Sequence, residues 1–146
     1  MKLAAVTAAV VILAIARPAA ADPRQLVELP GPMQQHMMAN MREHLKALED
    51  ILGALAAGDV TSAGDIAESR IGMSSLDSHG AAHMAPFMPQ PMQAMGTAMH
   101  RAASRLGIVA ADAEVEHSYD AQRKVFAALQ ELTAACNACH ASYRIR

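Results

Sequence analysis

Between Pro32 and Ala57 apolar residues return at alternating steps of three and four: Met38, Met41, Leu45, Leu48, Leu52 and Leu55. That spacing predicts a helix with one narrow buried face, ended by Gly58-Asp59. A second, shorter helix is expected from Ser62, whose side chain caps it with Asp65 three residues on, through Ile66 to about Ile71. The periodicity then fails. Gly72, Ser74, Ser75, Gly80, Pro86 and Pro89 mark an irregular connection from 72 to 90, with room for a helical turn. Pro91 suits the first position of a third helix, whose stripe of Met88, Met92, Met95, Met99, Ala102 and Leu106 runs to Gly107. Residues 108–117 fit either a loop or an extended entry to the last helix. The fourth helix, from about Ser118 to Tyr143, is the most regular of the later ones and carries Val125, Leu129, Leu132, Cys136, Cys139 and Tyr143 on one stripe.

Four helical segments with modest connections predict an all-α fold, an antiparallel four-helix bundle with its helices packed at shallow angles. In that arrangement the end of the fourth helix lies beside the start of the first, so Cys136–His140 should face Met33–His44. Composition agrees with close-packed helices. The chain has no tryptophan, two tyrosines and two phenylalanines against eleven methionines, where a sandwich of sheets would draw on aromatic and β-branched residues.

Ahead of this pattern, Lys2 is followed by an apolar run from Leu3 to Ala16 and then by Arg17-Pro18-Ala19-Ala20-Ala21-Asp22. A basic start, an apolar run shorter than the roughly 20 residues of a spanning helix, and Ala-x-Ala before a polar segment read as a cleavable export signal. Residues 1–21 are assigned to it and 22–146 to one domain, with a periplasmic destination and no membrane span after processing. Lys2 and Arg17 fall in the leader, so the remainder carries ten Lys and Arg against fourteen acids, a formal charge of −4. No basic stripe remains, and nucleic acid is not an expected partner.

The two cysteines stand three residues apart, in Cys136-Asn137-Ala138-Cys139-His140. A disulfide between them would close almost no loop and so stabilise little. On a helix, positions i and i+3 share a face, which lets two thiols add to the two vinyl groups along one edge of a porphyrin. The next residue is then carried beneath the ring, where an imidazole nitrogen reaches the iron. The pattern therefore points to one covalent haem c on Cys136 and Cys139, with His140 as axial ligand. A redox pair of thioredoxin type would need a βαβ setting. A zinc site would need four ligands where the motif supplies three. A local disulfide staple is the remaining alternative. No nucleophile–base pairing or paired carboxylates mark an enzyme.

The run Cys136-Asn137-Ala138-Cys139-His140-Ala141-Ser142-Tyr143-Arg144, close to the end of a four-helix chain with an export signal, resembles the cytochrome c′ family and its low-spin relatives. The resemblance covers the mature chain in architecture and helix four in specific residues. It implies a haem buried at one end of the bundle, Arg144 close to the haem-ligating histidine, and a homodimer formed through the first two helices. Some members keep the distal side open to nitric oxide or carbon monoxide, and others are methionine-ligated. The family's distal position aligns best with Met38, the leading sixth ligand, ahead of His36 and Met37; the ligand-rich first helix favours single-electron transfer with redox partner proteins. The chain departs from the family between Ser74 and His100. There His79, His83, Met84 and Met88 form a soft ligand set suited to copper, a third reading.

Overall fold

The computed structural model describes residues 21–146; the expected export signal, residues 1–21, lies outside them but for Ala21. Helix α1 spans Gly31–Ala56 and starts with Pro32 in its first turn, where the missing N–H costs nothing. Helix α2 spans Val60–Arg70. Its cap is Asp59 and not Ser62: the Asp59 carboxylate accepts the Ser62 N–H at 2.9 Å. The connection after it holds a 3-10 turn at Met73–Ser75, the four-residue α3 at Ala81–Met84 and a second 3-10 turn at Ala85–Phe87. Helix α4 spans Gln90–Glu116. Helix α5 spans Tyr119–Ser142 and is capped by Ser118 Oγ, which accepts the Ala121 N–H at 3.0 Å.

Gly107 therefore does not end the third helix, and residues 108–117 continue it through Glu116 before His117 turns into α5. The reason is close helix contact. A Cβ on Gly64 of α2 would lie 2.8 Å from the Ala110 Cβ and 3.3 Å from the Gly107 carbonyl oxygen of α4, so both glycines serve the approach of two backbones.

The chain is mostly helical. Compatible with the all-α expectation, it adds only two three-residue strands, β1 (Gln25–Val27) and β2 (Tyr143–Ile145), paired in parallel as Gln25–Tyr143, Leu26–Arg144 and Val27–Ile145. Parallel strands need a long crossover, and here the whole helical body supplies it. The pair ties the segment before α1 to the segment after α5, bringing those two helix ends together.

Among the helices α1 packs on α2, α2 on α4 and α4 on α5, while α1 and α5 make at most marginal contact. One core cluster, built on Ile51, Leu106, Val125 and Leu132, joins α1, α2, α4 and α5. A second, at the strand end, gathers Val27, Leu29, Met84 and Met92.

The buried face of α1 corrects the expected stripe. His44, Ala47 and Ile51 are buried, whereas Met38, Leu45 and Leu52 are 43 %, 70 % and 54 % exposed. Ala47 is small enough to let α2 approach that face, which leaves these larger side chains turned outward. In α4 and α5 the stripes hold: Met92, Met99, Ala102 and Leu106 are buried, as are Val125, Leu129 and Leu132.

Candidate functional site

Cys136 and Cys139 are both free and half-buried on α5. Cys136 packs against the main core. Cys139 packs against the strand-end cluster, as do Met33 and Met37 of α1, Met88 of the connection and Tyr143. The end of the last helix and the start of the first thus pack against one common apolar cluster. Burial pushes both thiols above their ordinary range, and for Cys136 the neighbouring Cys139 adds to it; both are held as neutral S–H groups.

One and two turns before Cys136, Thr133 and Leu129 border a groove of about 490 Å³ whose opposite wall is Leu45, Leu48, Glu49 and Leu52 of α1. This is the gap between the two helices that barely touch. Leu129, Thr133, Cys136 and His140 succeed each other at steps of four, three and four, so one face of α5 runs from the groove to the motif. A volume of that size lies within the range of small-molecule sites, about 300–1,000 Å³.

His140 is exposed, and its carbonyl oxygen accepts a long hydrogen bond of 3.4 Å from Arg24 Nη1. Arg144 Nε is buried without a hydrogen-bond partner and stands 3.7 Å from Asp22 Oδ2. Asp22 is itself gripped by Arg24, whose hydrogen bonds lower its carboxyl to about 2. The first residues after the expected cleavage point therefore close over the end of α5.

On α1, Met37 shares the cluster of Cys139, whereas Met38 faces outward. Of the four residues of the copper reading, Met84 and Met88 share the strand-end apolar cluster, whereas His83 is exposed and His79 turns towards α1 and α4. There it meets two histidines that sequence reasoning did not join to it, His44 and His100, which are 7 % and 8 % exposed. The ring centroids are 4.7 Å apart for His44–His79, 5.6 Å for His79–His100 and 5.9 Å for His44–His100. Burial first, then the neighbouring imidazoles His79, His100 and His140, lowers His44 to about 4; burial, then His100 and His36, lowers His79. The influence of His140 on His44 puts the motif histidine within electrostatic reach of this cluster.

No family model, curated protein or solved structure matches the chain.

Proposed function

We propose that the chain is an exported monohaem c-type cytochrome, an antiparallel four-helix bundle that carries one electron at a time between periplasmic redox partners. The observation that carries this reading is the placement of Cys136 and His140 on the face of α5 that continues into the apolar groove beside α1. A flat apolar ring anchored at that motif would cover leucines that are otherwise left to water.

The donor set fits the group. Cys136 and Cys139 would hold the group through thioethers, each neutral thiol supplying both the sulfur and the hydrogen for addition across one vinyl, with no leaving group and no oxidant required. His140 follows Cys139 directly and offers an imidazole nitrogen to the iron. The unpartnered Arg144 Nε supplies a buried donor beside the same helix end, suited to a carboxylate at the ring's edge. When bound, haem supplies a one-electron iron couple. The protein's own part is to hold the ring between α5 and α1, exclude water with Leu45, Leu48 and Leu129, and offer a soft ligand from α1. Met38 remains the leading residue for that position and Met37, which packs against the same cluster as Cys139, its nearest rival.

The absorption spectrum tests the function. Electron transfer predicts a low-spin spectrum with a weak sulfur-to-iron band, lost in Met38→Ala or, if the rival is the ligand, in Met37→Ala. A high-spin spectrum that shifts on exposure to nitric oxide or carbon monoxide would replace carriage of electrons by capture of gas.

A further inference from the structure

We propose that His44 of α1, His79 of the connection and His100 of α4 form a binding site for a zinc-class divalent transition-metal ion, which clips the 72–90 connection onto the two helices. The inference does not rest on the haem reading, since it uses none of the residues of the Cys-x-x-Cys-His motif.

The protons point to it first. His100 Nδ1 lies at 2.5 Å from the Ile71 carbonyl oxygen; a carbonyl only accepts, so the ring's proton sits on Nδ1 and its Nε2 carries a lone pair. A metal-ligating histidine is oriented in the same way, one ring N–H given to a backbone carbonyl and the other nitrogen free for the ion. Ser75 Oγ donates its one proton to the Gly72 carbonyl at 2.7 Å, and so turns a lone pair towards His79 Nδ1 at 3.2 Å. His44 Nε2 faces the same His79 nitrogen at 3.5 Å. The Ser75 lone pair calls for a proton on His79 Nδ1, which Ser75 Oγ and His44 Nε2 then accept, so His44, His79 and His100 each keep a lone pair on Nε2. Three imidazole lone pairs in one part-buried cluster attract a cation.

Distances agree. Two imidazole nitrogens at about 2.0–2.1 Å from a tetrahedral ion stand roughly 3.4 Å apart, and their ring centroids about 5 Å apart. Among the described residues no three donors already converge on a common point, so the last adjustment is rotation of rings about their χ angles. The backbone beneath His79 is fixed for the purpose. Its carbonyl oxygen accepts from Asn40 Nδ2 at 2.9 Å and from His36 Nε2 at 2.7 Å, and Gly80 follows in the left-handed region at φ +62°, where a Cβ would strike His36 Nε2. Two side chains of α1 and a left-handed glycine thus hold the loop so that His79 meets its partners. Three neutral imidazoles without thiolate, with a water as the fourth ligand, select borderline ions such as zinc or copper(II) over calcium or magnesium.

The test uses the full chain, freed of metal by a chelator, in its haem-loaded form and as Cys136→Ser/Cys139→Ser. Zn²⁺ is titrated into both by calorimetry, and Co²⁺ into the second, where no haem masks the visible bands. The site predicts one ion per chain in both forms and an intense tetrahedral cobalt spectrum. Affinity falls about tenfold or more in His100→Ala and in His79→Gln. It is unchanged in His83→Ala/His117→Asn, which alters exposed histidines. His79 lies on the connection, so its variant is read even where His100→Ala fails to fold. No saturable binding, or binding that survives loss of His79 and His100, overturns the site. A wild-type chain that binds Zn²⁺ yet takes up no haem in a host that matures c-type cytochromes overturns the haem reading alone.

Discussion

The two sides of the helical body are closed by opposite means. Where α2 crosses α4, Gly64, Gly107 and Ala110 bring backbones together, leaving no space for an added methyl group. Where α1 passes α5, leucines and a threonine face each other across a groove and the helices barely meet. Small residues let one pair close on itself and finish its core. Large apolar residues on the other pair remain exposed, at a cost of about 25 cal/mol for each Å² of apolar surface left in water, unless something flat and apolar lies between them. The motif stands at the end of the second pair.

Adjacent residues of α1 give the sharpest way to break that contrast. Ile51 is fully buried and Leu52 is not, so Ile51→Ala should cost about 4 kcal/mol of unfolding free energy and Leu52→Ala less than about 0.5 kcal/mol in the haem-free chain. Chemical denaturation of both variants checks this; equal losses would mean that the groove is closed in solution. In haem-loaded protein the Leu52→Ala cost should grow.

Acid probes the closed interior next. His44 is lowered in the fold from 6.5 to about 4, so below about pH 6.5 the unfolded chain takes a proton that the folded chain refuses. Stability is then full above pH 6.5, falls as the pH drops, and levels off below about 4. His44 alone accounts for about 3 kcal/mol of that loss, with His79 lowered in the same direction. Denaturation midpoints of metal-free protein between pH 7.5 and 4 measure it, and His44→Gln should flatten the slope. The smallest effect is expected at the helix crossing itself. Gly64→Ala gains helix propensity of about 1 kcal/mol but forces the Ala110 contact, for a net loss of about 1 kcal/mol; a net gain would show that α2 can move away from α4.

How much of this could be read beforehand depended on how local each feature is. The five-residue motif and the last helix, with Ser118 at its start, are contiguous, and capping and period 3.6 suffice for them. The α1 stripe failed because two stripes compete there: the leucine row is the more apolar, but His44, Ala47 and Ile51, also at steps of three and four, offer the narrow face that α2 can approach. Gly107 read as a stop because a glycine needed for a helix crossing has no local mark that separates it from one at a helix end. The strand pair joins segments of three residues from opposite ends of the chain, too short for any alternation to show. The histidine cluster was out of reach for the same reason. Its members come from α1, a loop and α4, and only the fold sets their rings side by side.

Covalent attachment of haem is the claim on which the rest of the functional account depends, and mass spectrometry of the denatured protein tests it most directly. Produced in a host that matures c-type cytochromes, the chain should retain the mass of one haem through denaturation and organic extraction, with no thiol left to alkylate, and Cys136→Ala/Cys139→Ala should retain none. A wild-type chain that emerges from the same host without haem and with both cysteines alkylated would contradict it.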